Sequence, residues 1–119
     1  MASQSKDYRP SYGGNVWSRD GAYHNGTVWS YLIGPYLDAL FYVKGEKGKA
    51  QAANILQKFL EQRSEAGVGT ISEIFDAEFP FQPRGCIAQA WGVGEALRVG
   101  MEYDLFEDVK KEESIPQHM

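Results

Sequence analysis

The feature that most constrains this chain is the segment 28–43, whose apolar side chains fall on every face of a helix. Within VWSYLIGPYLDALFYV only Ser30 and Asp38 are clearly polar. A helix that is apolar all round is buried on all sides or faces something other than water. We therefore predict a buried helix here. Asn25 or Thr27 would be its N-cap, and Gly34-Pro35 would kink or delay it.

Two further helices are predicted. Residues 49–66 follow a turn at 45–48 and carry one apolar stripe opposite a polar face. Residues 85 or 86 to 103 are again apolar on most faces, so this third helix should also be buried. We predict an irregular lead over 1–22, a helical region over 23–103 and a polar tail over 104–119. The expected fold class is all-α, with three main antiparallel helices.

The segment 69–91, GTISEIFDAEFPFQPRGCIAQAW, sets Glu73, Asp76 and Glu78 among aromatic and proline residues. Helix connections are normally short and polar. The loop is therefore either built to hold polar groups or is an ordinary surface loop with packed aromatics. Because the first and third helices should run parallel, the loops 23–29 and 71–84 should lie at the same end of the bundle. Helix N-termini at that end favour oxygen-rich ligands.

Composition excludes several classes of function. The chain has 43% hydrophobic residues and a net charge of -4, which indicates one globular domain without the basic footprint of a nucleic-acid binder. We expect no nucleic acid and no membrane as partners, since no long apolar segment is present. With two His and one Cys, no metal or cofactor site is expected. The single Cys86 and the absence of a signal sequence predict a cytoplasmic protein.

Two blocks of the sequence resemble a known family. AYHNGTVWSYLIGPYLDAL and GTISEIFDAEFPFQPRGCIAQAWGVGEALR are similar to the C-terminal part of archaeal and bacterial glycogen debranching enzymes, their amylo-α-1,6-glucosidase region. The similarity covers residues 18–103. It implies the last part of an (α/α)6 barrel, in which inner and outer helices alternate and the active site lies at the N-terminal ends of the inner helices.

The resemblance implies hydrolysis of α-1,6-linked glucose at branch points of an α-glucan or oligosaccharide, with inversion. Such enzymes use one carboxyl as acid and one as base, about 6.5–9.5 Å apart. Glu73 aligns with the family glutamate that we assign as general base; alternatively it caps a turn or pairs with Arg84. The family acid is an aspartate on a more N-terminal helix hairpin that these residues do not contain, and the spacing of Asp20 does not support that role. We therefore expect the chain to be inactive alone.

Five other residues are candidates for substrate binding. Trp29 and Trp91 could stack on a sugar or belong to the core. His24 could bond a glucose hydroxyl or cap a helix N-terminus. Asp76 could orient the loop or bind hydroxyls, and Arg84 could clamp Asp76 or Glu73 or bond loop carbonyls.

Departures from the family pattern leave other functions open. Ser30-Tyr31 stands where proline and tryptophan are expected, and Gly92 and Gly94 stand where serine and alanine are usual. The chain could instead be a non-catalytic protein that binds glucan or a subunit, or a structural interaction module. The apolar helices also predict a cover for their open sides. That cover would be a homo-oligomer, most commonly two-fold, or the missing barrel segment.

Overall fold

The computed structural model describes residues 1–61 and 69–108. Within these residues the fold is mainly helical, which confirms the all-α class. The elements are α1 (Val16–Asn25), β1 (Val28–Trp29), α2 (Ile33–Lys44), α3 (Lys49–Glu61), β2 (Ile74–Phe75), β3 (Pro83–Arg84) and α4 (Ala90–Glu102), with 3₁₀ turns at Ser30–Leu32 and Gly45–Gly48. The predicted end of the second helix at residue 66 and the chain beyond residue 108 lie outside the described residues.

Helices α2, α3 and α4 are the three main predicted helices, and they share one hydrophobic core. The apolar stripe of α3 supplies Ala52, Ala53 and Leu56, all buried. Burying a side chain the size of leucine stabilises a fold by about 1.5–3 kcal/mol. The remaining buried members of the core come from α2, α4 and the turn after α4: Ile33, Leu37, Ala96, Val99 and Leu105.

Helix α2 begins later than the sequence predicted. Residues 28 and 29 form a strand and residues 30–32 a 3₁₀ turn, so the α-helix starts at Ile33. Pro35 then falls in the first turn, where its missing N–H leaves no helical bond unmade. The predicted caps are wrong. Asn25 ends α1, and the Thr27 hydroxyl donates to the Ala22 carbonyl oxygen at 3.1 Å.

The lead predicted to be irregular contains helix α1. Its N-cap is Asn15, whose side-chain oxygen accepts from the Ser18 amide at 3.0 Å. Gly13, Gly14 and Gly21 indicated a broken segment, yet Gly21 lies inside the helix. A Cβ added there would lie 2.8 Å from Cδ of Arg9, so the glycine allows the residues before α1 to pack closely on it.

Helix α4 also departs from its predicted limits. It starts at Ala90 and not at residue 85 or 86, because residues 83 and 84 form β3. The chain turns at Asp104, whose φ of 54° is left-handed, and the Leu105 amide donates to the Gly100 carbonyl oxygen at 2.8 Å. Leu105 is fully buried, so the predicted polar tail starts with a core residue.

Helices α2 and α4 expose large apolar side chains, although the sequence predicted burial on all sides. Tyr42 of α2 is 93% exposed and Met101 of α4 is 74% exposed. The core covers only the inner side of each helix. Large apolar side chains exposed in this way mark a contact site in many proteins.

A charged cluster joins α2 to α4. Arg98 donates to Asp38 at 2.7 Å and to Glu95 at 2.9 Å, and the Tyr103 hydroxyl donates to Asp38 at 2.7 Å. Glu95 contacts Gly34 directly, where any larger residue would overlap its carboxylate. The close approach of the two helices therefore depends on this glycine.

A three-stranded sheet brings the two predicted loops together. Strand β1 pairs antiparallel with β2, with Trp29 opposite Ile74, and β2 pairs with β3. Strands of two residues leave no alternation in the sequence and were not predicted. Their pairing confirms that the loops before the first and third main helices lie side by side.

Candidate active site

Glu73 lies at the junction of the two loops, and its carboxylate is held from three directions. The Tyr23 hydroxyl donates to Oε1 at 2.6 Å, and the Gln89 side-chain amide approaches the same oxygen at 3.4 Å. The Cys86 backbone N–H donates to Oε2 at 3.2 Å. All three partners are donors, as an ionised carboxylate requires. The fold therefore places one half-buried carboxylate where donors from both parts of the chain bind it.

The backbone at Glu73 is fixed as firmly as its side chain. Both the amide and the hydroxyl of Ser30 donate to the Glu73 carbonyl oxygen, at 3.0 Å and 3.1 Å. The Glu73 amide donates to the Cys86 carbonyl oxygen at 2.9 Å. These bonds extend the pairing of β2 by one residue, to Glu73, toward both β1 and β3. The position of Glu73 is therefore set by strand pairing and not by a free loop.

Two glycines allow this close approach. Gly85 has a left-handed φ of 68°, and a Cβ there would lie 2.7 Å from Oε2 of Glu73. Gly92 of α4 lies directly against the Ser30 side chain, which a Cβ would overlap. Ser30 and Gly92 both depart from the pattern that the resemblance implies, and the structure shows that they pack against each other.

Tyr23 is fixed by aromatic contacts. Its ring meets Trp29 edge-on at a centroid distance of 4.4 Å and His24 at 5.2 Å. Trp29 Nε1 donates to the Tyr23 carbonyl oxygen at 3.1 Å. The hydrogen bond to the Glu73 carboxylate, together with burial, raises the pKa of Tyr23 to about 12, so the phenol stays protonated at neutral pH.

The predicted tryptophans lie in one row of ring contacts that starts at Tyr23, which donates to Glu73. Trp29 contacts Tyr23 on one side and Tyr31 on the other, the latter at 6.2 Å. Trp91 stacks on Tyr31 at 3.8 Å with an interplanar angle of 13°. Trp91 is 53% exposed, so of the two interpretations offered for it the structure does not support a core position.

Asp76 and Arg84 bind each other. Arg84 Nε donates to Asp76 Oδ2 at 3.1 Å, and the Tyr12 backbone N–H donates to Oδ1 at 2.8 Å. Asp76 is buried, and both of its oxygens are occupied from within the chain. Of the alternatives for Arg84, the structure therefore favours a clamp on Asp76, and that carboxylate orients the loop and the N-terminal lead.

An open groove lies next to the loop junction, and Trp29, Ser30 and Asp76 are among the residues that line it. It encloses about 530 Å³ between β1, the start of α2 and the loop after β2. Half-exposed apolar side chains, among them Val28, Leu32, Tyr36 and Phe81, line it. Glu73 is not in its lining. An apolar groove offers few partners to sugar hydroxyls, so the candidate site is centred on Glu73 at the loop junction, and the groove adjoins it.

Sequence reasoning missed two partners of Glu73. Tyr23 lies 50 positions earlier in the chain, and Gln89 was part of the predicted third helix. Only the predicted proximity of the two loops could have indicated Tyr23. His24, proposed as a sugar ligand or a cap, is exposed in the last turn of α1, so it does not cap a helix N-terminus.

Within residues 1–61 and 69–108, no group of three His, Cys, Asp or Glu side chains could hold a metal ion. No helix in that part of the chain is long and apolar enough to cross a bilayer. Comparison with protein families matches residues 1–98 to the family described as Amylo-alpha-1,6-glucosidase. No curated protein and no solved structure matches the chain.

Proposed function

Because this chain belongs to the amylo-alpha-1,6-glucosidase family, we propose that it forms part of a glycogen-debranching glucosidase in which Glu73 is the general base. The substrate would be a branched α-glucan or a derived oligosaccharide. The observation that carries the proposal is the Glu73 carboxylate, which is held by hydrogen-bond donors at the junction of the two loops. Such a group can accept a proton without moving.

The proposed chemistry is hydrolysis with inversion. A water oxygen attacks the anomeric carbon of the α-1,6-linked glucose while Glu73 takes the proton from that water. A second carboxyl gives its proton to the departing oxygen, so the C–O bond breaks as the new one forms. Trp91 and Trp29 offer ring surfaces for the sugar, and His24 offers a hydroxyl partner at the same end.

The second carboxyl is not supplied by the neighbouring loop. Asp76 is buried, and its two oxygens accept from Arg84 and from the Tyr12 backbone, so in this proposal it serves to orient the loop. Glu78 is exposed. Burial, and after it the charge of Glu78, raises the pKa of Tyr8. We therefore propose that the acid comes from a helix outside this sequence and that the chain alone releases no glucose.

The experiment that tests this function measures glucose released from limit dextrin. The active glucosidase that contains the chain should lose activity in Glu73→Gln and keep it in Glu61→Gln, a matched change at the exposed end of α3. Full activity in Glu73→Gln would remove Glu73 from the reaction. Glucose release by the purified chain alone, abolished by Glu73→Gln, would contradict the proposed division of the two carboxyls.

A second candidate function is that the chain binds glucan or a subunit without hydrolysis, which the proposal of a single catalytic carboxyl in this chain favours. The two functions differ in the response to sugar. Binding of isomaltose by the isolated chain, with no activity in any assembly, would favour the binding protein.

We also propose that the exposed apolar surface of α2 and α4 is covered by another helical surface. A second copy related by two-fold symmetry or the remaining barrel helices would serve. The high exposure of Tyr42 and Met101 supports this proposal.

A further inference from the structure

The carboxylate of Glu73 has a defined number of free acceptor positions. Its two oxygens offer about four lone-pair sites. Tyr23 and Gln89 occupy Oε1, and the Cys86 N–H occupies one site on Oε2. Among the residues that the structure describes, one lone pair is left, and it belongs to Oε2.

Tyr23 is the strongest of the three donors by geometry. Its bond of 2.6 Å is in the range of a charge-assisted O–H···O⁻ contact, whereas Cys86 and Gln89 are at 3.2 Å and 3.4 Å. Its ring cannot swing away without leaving Trp29, which lies 4.4 Å from it. Trp29 in turn is tied to the Tyr23 carbonyl oxygen. The phenol is therefore a rigid contact and the side-chain amide a weaker one.

We propose that Tyr23 is a positioning residue for the reaction, holding Oε1 of Glu73 so that the free lone pair of Oε2 receives the proton of the attacking water. Tyr23 does not touch the substrate in this role. The inference deepens the proposed function and rests on it. It assigns to Oε2, and not to Oε1, the transfer of the proton.

Gly85 lies beside the other oxygen of the Glu73 carboxylate, Oε2. A Cβ at this position would lie 2.7 Å from Oε2. The glycine therefore keeps the space beside that oxygen clear. Tyr23 holds one oxygen in place and Gly85 leaves room at the other, and these two effects come from α1 and from the residue after β3.

The test of the contact uses the full chain with ¹³Cζ-labelled tyrosine. Tyr23 and Tyr103 are expected to titrate with a pKa of about 12. The Tyr23 resonance is identified by its loss in Tyr23→Phe. In Glu73→Gln its midpoint should fall toward about 10, the ordinary value for tyrosine, while that of Tyr103 stays unchanged. An unmoved Tyr23 midpoint would overturn the contact.

The test of positioning needs readouts that a purely structural bond would not move. In Tyr23→Phe the Cys86 amide resonance should shift, because the released carboxylate no longer faces that N–H. In the active glucosidase, kcat should fall roughly ten- to a hundredfold with KM nearly unchanged, the range expected when a charged group loses one hydrogen bond. The control is Tyr103→Phe, which removes the matched hydroxyl bond to Asp38 at 2.7 Å and should alter neither readout.

The outcomes separate the two claims. If Glu73→Gln abolishes activity while Tyr23→Phe leaves kcat and the Cys86 amide unchanged, positioning by Tyr23 is overturned and the role of Glu73 stands. If Glu73→Gln stays fully active, the proposed function fails first. A drop of kcat in Tyr23→Phe with a proportional rise in KM would show a substrate contact and would also overturn the positioning role.

Discussion

Replacement of Asp76 by alanine should loosen the whole loop, although Asp76 was first a candidate for sugar binding. Its side chain is 5% exposed and accepts from Arg84 and from the Tyr12 backbone. A hydrogen bond to a charged group contributes about 1.5–3 kcal/mol net. The substitution removes two such bonds and leaves the Tyr12 N–H without its acceptor.

The magnitude is limited by solvent at Arg84. The Arg84 side chain is 42% exposed, so its guanidinium regains water when Asp76 is lost. Two such bonds together would contribute about 3–6 kcal/mol. Because solvent offsets part of the Arg84 bond, we expect a smaller loss, about 2–3 kcal/mol in the free energy of unfolding, below the roughly 3–5 kcal/mol for breaking a fully buried pair. For a chain of this size, that loss lowers Tm by about 10 °C.

Thermal unfolding followed by circular dichroism measures this loss. The control is Asp20→Ala, which makes the same change at an exposed position on α1 and should shift Tm by less than about 2 °C. Equal shifts in the two variants would refute the reasoning, since they would mean that the buried ion pair contributes nothing to the loop. A Tm loss in Asp76→Ala alone confirms a structural role for this carboxylate.

Three further predictions concern Gly85, the Asp38–Arg98 pair and the exposed apolar surface of α2 and α4. Gly85→Ala places a side chain in a left-handed position against Oε2 of Glu73, so Tm should fall by about 5 °C and the Tyr23 pKa should drop from about 12. The hydrogen bond from Arg98 lowers the pKa of Asp38, so this pair stabilises the fold above about pH 4, and the stabilisation is lost as the pH falls through the lowered pKa. In Asp38→Asn, Tm should therefore change less on acidification than in the unmodified chain. Sedimentation at micromolar concentration should show association of the chain, and a well-folded monomer would contradict the cover of α2 and α4 by a second copy.

The sequence predicted the parts of the fold that depend on long periodic segments. The stripe of α3 is intact because its spacing alone decides which face is buried, and Leu56 is fully buried as expected. The meeting of the two loops was also predictable, since it requires only that the flanking helices run in alternate directions. The first main helix was predicted, but its start was placed too early in the chain, because a two-residue strand at 28–29 has too few residues to show alternation.

The rest depended on contacts between distant residues. Helix α1 was missed because Gly21 reads as a breaker until Arg9 is seen packed against it. Glu73 was predicted only through the resemblance, and the donor that fixes it, Tyr23, is 50 positions away with no local signal. The sequence left two interpretations of Trp91, a core position or a sugar-binding surface. Its half-exposed stack on Tyr31 is a contact between distant residues that no local pattern indicates.

The row of aromatic rings that starts at Tyr23 has a consequence for spectroscopy. Trp17 is 87% exposed, whereas Trp29 and Trp91 lie in contact with Tyr23 and Tyr31. In a Trp17→Phe variant, all tryptophan emission would come from the two indoles in this row of rings, and the neighbouring phenols would transfer their excitation to them. The wavelength and quenching of that emission would then report whether a sugar occupies the loop junction, without any added label.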